Sequence, residues 1–234
     1  CRLLAPRYGR RLWVMSSVAD VRREPAHAAE LLTQLIMGET ALPLKTEGDW
    51  HLVRCADDYH GWIRSWYVRE TDPAEIAAYA ARANAVVDAS VGYVYSTPDE
   101  RSIPVSDVVA GTKLAAGAPA AGFREVALPG ERKGFMRAGD LAPEPDAGSP
   151  DGERLAGRTM RFLGIPYLWG GTTPKGFDCS GLVKRVFSME GVTLPRDSDR
   201  QALAGTPVPG ESALAARRGD LLFFGEGGVV GHVA

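Results

Sequence analysis

Gly61-Trp62-Ile63-Arg64 returns 73 residues later as Gly134-Phe135-Met136-Arg137, with the same chemical character at each position. Further positions repeat at this offset without a gap: Ser17, Val21, Pro25, Gly38, Trp50 and Val53 correspond to Ser90, Val94, Pro98, Gly111, Phe123 and Val126. The period is too long for a solenoid and suits a small domain. The sequence therefore predicts two copies of one unit.

Each copy has the pattern of short strands separated by turns. Residues 50–55 alternate between two faces with a period of two, which is typical of a strand. Gly and Pro, 27 and 16 of the 234 residues, are enriched over average usage and indicate many turns. We expect two small all-β barrels at residues 10–72 and 86–143, an alanine-rich connecting helix at 73–85, a linker at 144–150 and a third domain at 151–234.

Composition excludes several classes of function. Lys and Arg together number 27, and Asp and Glu 29, so a net charge of −2 argues against nucleic acid as a partner. No apolar run approaches the roughly 18 residues of a transmembrane segment. Cysteine and histidine are scattered, which predicts neither a disulfide framework nor a metal site. We expect a monomer, and we expect both ends to be trimmed, because the chain starts at Cys1 and stops after a strand-like stretch; a mature lipoprotein also begins with Cys.

The sequence Phe177-Asp178-Cys179-Ser180-Gly181 predicts the start of a helix. The apolar residues Leu182, Val183, Val186 and Phe187 follow at the spacing of an amphipathic helix, with Asp178 as its N-cap. A helix N-terminus carries partial positive charge and free N–H groups, which favour a thiolate and can bind an oxyanion. The alternative is that Cys179 is a small buried residue of a core stripe.

Two resemblances to known families follow from these motifs. Gly38-Glu39, Asp49-Trp50 and Tyr59-His60-Gly61-Trp62 resemble the bacterial SH3 pattern, of which the second copy is a more diverged example. Five motifs follow one another in the third domain: residues 167–171 (Tyr-Leu-Trp-Gly-Gly), the Asp-Cys-Ser-Gly helix start, Leu194–Ser198, Arg218–Phe224 and Gly231-His232-Val233. In this order they resemble the NlpC/P60 family of cysteine peptidases. The third domain is then an α+β papain-like domain.

The NlpC/P60 resemblance implies that Cys179 is the nucleophile and that His232 is the general base, with no cofactor. The alternative is a strand histidine satisfied in a core, which is the commoner case for an isolated histidine. The family orients its base with a third polar residue, which would lie beyond Ala234, so the domain is expected to be incomplete at its C-terminus.

The resemblance also implies a substrate, the peptidoglycan stem peptide L-Ala-γ-D-Glu-diamino acid with a free L-Ala amine, cut after γ-D-glutamate. By the family pattern, Asp178 pairs with the ammonium and Tyr167 lines the site. Ser180 and Ser198 contact the dipeptide, and Glu39 and Tyr59 help to hold the amine. The repeat offset turns Glu39 and Tyr59 into Thr112 and Arg132, so the second copy lacks this polar pair. Alternatively, Asp178 is only an N-cap, and Glu39 and Tyr59 are ordinary turn residues.

Two other functions stay open at this stage. One is a non-catalytic cell-wall-binding protein, for which an inert Cys179 thiol would be evidence. The other is an acyltransferase that uses the same cysteine. The identity of the diamino acid stays open, as does the compartment, either the cell envelope or secreted space, or the cytosol during murein recycling.

Overall fold

The computed structural model describes residues 9–145, 150–208 and 216–234. The chain divides into two compact units, Cys1–Glu144 and Pro145–Ala234. The predicted linker at 144–150 lies partly outside the described residues, since residues 146–149 are not among them.

The first unit begins with a seven-stranded antiparallel sheet. Its strands, β1 to β7 in chain order, are Arg11–Val14, Val18–Arg22, Leu31–Ile36, Thr40–Glu47, Trp50–Cys55, His60–Arg64 and Val68–Thr71. They are arranged in the order β3-β2-β6-β5-β4-β1-β7. All six neighbouring pairs are antiparallel, and short turns join two of them, β4–β5 and β5–β6.

A second seven-stranded antiparallel sheet repeats this arrangement. Its strands, β8 to β14, are Ala85–Val87, Val91–Tyr95, Pro104–Val109, Lys113–Ala116, Phe123–Ala127, Lys133–Arg137 and Leu141–Pro143. Their order is β10-β9-β13-β12-β11-β8-β14, which is the first order with every number raised by seven. The predicted fold class is therefore confirmed: two β-sheet structures are followed by a smaller α+β region.

Side chains related by the repeat offset occupy equivalent core positions. The pairs Val14 and Val87, Val21 and Val94, Ala41 and Leu114, Val53 and Val126, and Ile63 and Met136 are all buried, with no member more than 2% exposed. The repeat in sequence is thus a repeat of the inward-facing residues, whose removal from water drives the folding of each sheet.

The repeated glycine of the Gly-Trp-Ile-Arg pattern has a steric cause. A Cβ at Gly61 would lie 2.6 Å from Val21 Cγ1, and a Cβ at Gly134 would lie 2.6 Å from Val94 Cγ1. Both distances are far below van der Waals contact, so neither position accepts a side chain. Glycine is therefore required where β6 lies beside β2 in the first sheet and where β13 lies beside β9 in the second.

Helix α1, Pro73–Ala80, connects the two sheets after the N-cap residue Asp72. It is shorter than the predicted 73–85, because strand β8 already begins at Ala85. Its Tyr79 is buried, and the single proton of the Tyr79 hydroxyl is directed to the carbonyl oxygens of Lys113 and Ala127, each 3.1 Å away. The edge of the Tyr79 ring also packs against Trp13, with 5.2 Å between ring centroids. This helix thereby contacts both sheets.

Tyr79 should make stability depend on pH. Burial raises the pKa of Tyr79 to about 12, from an ordinary value of 10.0, despite the opposing charges of Arg82 and Arg132. Above pH 10 the unfolded chain ionises at this residue while the folded chain keeps its proton, so stability falls as pH rises. Between about pH 8 and pH 11, wild type should lose about 1 kcal/mol more unfolding free energy than Y79F in urea titrations. Parallel pH curves for the two proteins would contradict this assignment.

The second unit is a small α+β region. Its described elements are α2 (Gly152–Met160), β15 (Thr172–Thr173), β16 (Gly176–Phe177), α3 (Cys179–Ser188), α4 (Ser198–Ala202), β17 (Phe223–Glu226) and β18 (Val229–Val233). The buried apolar residues include Leu155 of α2, Phe177 of β16, and Val183 and Val186 of α3. Across the described part of the chain, no helix has the length and apolarity that crossing a bilayer requires.

Candidate active site

Cys179 is the first residue of helix α3. Asp178 is the N-cap, and its Oδ1 accepts a hydrogen bond from the Gly181 N–H at 2.7 Å, as the sequence predicts. Val183 and Val186, later in the helix, are buried and face the core. Cys179 itself is half-buried and is not in a disulfide. The cysteine therefore stands at the positive end of a ten-residue helix.

A glycine turn packs directly against this helix start. The Gly170 N–H donates to Asp178 Oδ2 at 2.9 Å, and the Asp178 N–H donates to the Gly171 carbonyl at 3.0 Å. Gly170 has a φ of 80°, which favours glycine, and a Cβ at Gly171 would lie 2.2 Å from the Gly176 carbonyl oxygen. The two glycines allow the turn to pack closely against Gly176 and to bind Asp178 at the helix start.

Beneath the cysteine lies a buried polar network that residue patterns did not reveal. Arg196 is 3% exposed, and its guanidinium binds both carboxylate oxygens of Asp178, at 3.1 and 2.5 Å, and Ser180 Oγ at 2.9 Å. Gln201 Nε2 donates to the carbonyls of Ser180 and Pro195 at 3.0 and 2.9 Å. The sequence was equally consistent with Arg196 in a solvated loop. The one sequence feature that could have pointed to Arg196 is its place in the Leu-Pro-Arg-Asp-Ser motif, because Arg196 is not part of a periodic apolar pattern.

A cavity of about 610 Å³ opens beside the cysteine within this unit. Cys179 and His232 both line the cavity, although 53 positions separate them in the sequence. His232 lies on β18 opposite Phe224 of β17, with the side chain exposed. Most other lining residues are apolar, among them Leu182 and Phe187. A thiol and an imidazole facing one space are the two groups that a cysteine hydrolase requires.

Tyr167 also lines the cavity, from the segment before the glycine turn. Its ring is largely exposed, while its backbone bridges to Phe177 of β16. Burial raises the pKa of the Tyr167 phenol, and negative charge on Cys179 and Asp178 raises it further, whereas Arg196 opposes them. The phenol therefore shares an electrostatic environment with the groups around Cys179.

Some of the other predicted substrate-binding residues line the cavity and some are not among its lining residues. Asp178 lines the cavity, but its carboxylate already binds Arg196 and two backbone N–H groups. Ser180 is buried, with its hydroxyl bonded to Arg196, and is not among the described lining residues. Ser198 is half-buried at the start of α4 and is also not among them.

Glu39 and Tyr59 lie in the first unit, at one end of the β4–β5 ladder. Ala41 of β4 pairs with Cys55 of β5, so Glu39 and the turn after Cys55 are at the same end. Glu39 Oε2 accepts the Ile36 N–H at 3.0 Å, and the Tyr59 ring packs on the core of the first sheet. Among residues 9–145, 150–208 and 216–234, no three His, Cys, Asp or Glu side chains come together in a way that could hold a metal ion.

Comparisons with known proteins agree with this architecture. A sequence model described as the NlpC/P60 family matches residues 164–234, and one described as the bacterial dipeptidyl-peptidase Sh3 domain matches residues 21–65. The second match lies within the first sheet, and the SH3 character of the second sheet stays a prediction.

Two similar proteins span nearly the whole chain. A gamma-D-glutamyl-L-lysine dipeptidyl-peptidase of Bacillus subtilis (strain 168) is 30% identical over 99% of this chain and 77% of its own length. A protein of the same name from Bacillus cereus is 29% identical over 95% of this chain and 69% of its own length. The crystal structure of an NlpC/P60 family protein from Bacillus cereus superimposes with a TM-score of 0.83, at 24% identity, over 95% and 86% of the two chains, and so shares the fold.

The chain belongs to the NlpC/P60 family. It is accordingly a hydrolytic cysteine peptidase with a bacterial SH3 domain in its first unit.

Proposed function

We propose that the protein hydrolyses the bond between γ-D-glutamate and the diamino acid of peptidoglycan stem peptides that carry a free N-terminal L-Ala. The observation that carries the proposal is that Cys179, at a helix N-terminus, and His232 line the same cavity. The names of the relatives support the γ-D-glutamyl part of the substrate.

In the proposed reaction, His232 takes the thiol proton and the Cys179 sulfur attacks the γ-carbonyl carbon of glutamate. The C–N bond breaks, and the leaving amine of the diamino acid takes the proton from His232. Water, activated by the same imidazole, then cleaves the thioester. The products are the free thiol, the dipeptide L-Ala-D-Glu and the diamino acid with whatever follows it.

The developing oxyanion needs hydrogen-bond donors close to the sulfur. The Gly181 N–H is used by the Asp178 cap. The N–H groups of Cys179 and Ser180 belong to the first turn and have no intrahelical acceptor. We assign these two groups as the oxyanion donors, at the end of α3 where the helix dipole also favours negative charge.

The direct test is mass spectrometry of L-Ala-γ-D-Glu-L-Lys and L-Ala-γ-D-Glu-meso-diaminopimelate after incubation with the protein. Release of L-Ala-D-Glu from at least one of them is expected. The matched control is the isomer in which D-Glu is joined through its α-carboxyl, which should stay intact. Absence of the dipeptide from both γ-linked substrates would overturn the proposal, and the preferred substrate identifies the diamino acid.

Recognition of the free amine gives a second prediction. Binding of the ammonium by Asp178, Glu39 and Tyr59 stays a prediction of the sequence, as does contact of Ser180, Ser198 and Tyr167 with the rest of the dipeptide. N-acetylation of the substrate's L-Ala removes the charge, so kcat/KM should fall by about 100-fold, the order of a lost charged hydrogen bond. In E39Q, which retains an acceptor for the Ile36 N–H, the difference between the two substrates should shrink. Equal kcat/KM for both substrates in wild type would exclude amine recognition.

A further inference from the structure

The residues on either side of Cys179 are held by a single buried guanidinium. Arg196 binds Asp178 through both carboxylate oxygens and Ser180 through its hydroxyl, at distances from 2.5 to 3.1 Å. Asp178 and Ser180 are 8% and 5% exposed. The backbone of Cys179 is therefore fixed on both sides by one side chain from another part of the chain.

We infer that Arg196 is the positioning residue for Cys179, fixing its two neighbours and cancelling the charge of the Asp178 carboxylate beside the thiol. The inference deepens the proposed function and rests on the nucleophilic role of Cys179 given there. A buried carboxylate next to a cysteine opposes the thiolate, because like charges repel strongly where water is excluded. The bidentate arginine removes this opposition while leaving the N-cap in place.

Two further contacts support this role. Gln201 joins the carbonyl of Pro195, the neighbour of Arg196, to the carbonyl of Ser180, so the arginine segment is tied to the same helical turn. The charge of Arg196 also acts at the cavity wall, since it opposes the rise in the pKa of Tyr167 that Cys179 and Asp178 cause. Arg196 thus acts on the site in two ways, by fixing the neighbours of Cys179 and by its positive charge.

The test compares R196M and D178N in the full chain by the rate at which iodoacetamide alkylates Cys179 at neutral pH. The alkylated Cys179 peptide is quantified by mass spectrometry, which separates it from Cys1 and Cys55. R196M leaves the Asp178 carboxylate beside the thiol without a countercharge and should slow alkylation about tenfold. D178N leaves the Arg196 guanidinium without a countercharge, retains a side chain that caps helices well, and should accelerate alkylation.

Opposite signs distinguish this role from a purely structural one. If the pair only holds the fold, both variants loosen the same site and change the rate in the same direction. The matched control is R158M, which removes a second arginine–carboxylate pair of this unit, Arg158 Nε to Glu190 Oε1 at 2.6 Å, between residues that are not among those lining the cavity. R158M should keep the wild-type rate within about twofold, the scatter expected for a site that Arg158 does not touch.

Thermal unfolding establishes which variants are folded at the assay temperature, and each folded variant tests the inference by the direction of its own rate change. An unchanged or faster rate in R196M, an unchanged or slower rate in D178N, or an equal loss in R158M would overturn it. Alkylation needs no substrate. A wild-type protein that cleaves neither γ-linked peptide therefore contradicts the proposed function alone. If wild type cleaves a γ-linked peptide but R196M and D178N change the alkylation rate in the same direction, only this inference is contradicted.

Discussion

C179A should abolish peptide cleavage, with a fall in kcat of at least about 10⁴-fold, because Cys179 is the one thiol among the described residues that line the cavity. Release of L-Ala-D-Glu from the preferred γ-linked peptide, followed by mass spectrometry, measures the effect. The fold should be unaffected, since Cys179 is half-buried and its replacement leaves the Asp178 cap intact.

C55A is the matched control for C179A. Cys55 is the other free cysteine among the described residues, and it is buried in the core of the first sheet. Its replacement should cost about 1 kcal/mol of stability and leave kcat near the wild-type value. Turnover by C179A comparable to that of C55A would remove Cys179 from the reaction.

G181A should be the most disruptive glycine replacement at the site. A Cβ at Gly181 would lie 2.0 Å from the Gly171 carbonyl oxygen and 2.8 Å from Asp178 Oδ1. Neither α3 nor the glycine turn can move without breaking the hydrogen bonds between them. We expect a loss of about 3 kcal/mol or more in the second unit, together with loss of cleavage.

G157A is the matched control for G181A, because it makes the same substitution inside a helix. Gly157 of α2 is exposed and a Cβ there meets no atom within 4 Å. Alanine should therefore stabilise this helix by about 0.5–1 kcal/mol. Hydrogen exchange of the α2 and α3 amides measures both effects; protection of α3 in G181A equal to that in G157A would contradict the steric argument.

The sequence predicts the features that depend on local pattern. The 73-residue repeat marks the inward-facing positions of both sheets, such as Val21 and Val94, because burial imposes the same residue type at each. The helix starting at Cys179 follows from its apolar spacing and from Asp178. These features need only neighbours in sequence to be recognised.

Features that depend on distant partners were not predictable in this way. Arg196 is a charged residue between a proline and an aspartate, which resembles an exposed turn. It is buried only because Asp178, 18 residues earlier, supplies a carboxylate in the right geometry. Similarly, the predicted helix at 73–85 ends at Ala80, because the following residues lead into β8. Helix propensity gives no information about that competing strand.

Met37 has a consequence for how this architecture can be inherited. It follows the third strand of the first sheet, yet it is buried in the core cluster of the second, beside Leu114 and Met136. The second copy is therefore incomplete without the first: removing the first copy leaves a hole where Met37 packs, and the first copy alone exposes this large apolar side chain. We therefore expect the two copies to be inherited as a pair, because the second core depends on a side chain of the first copy.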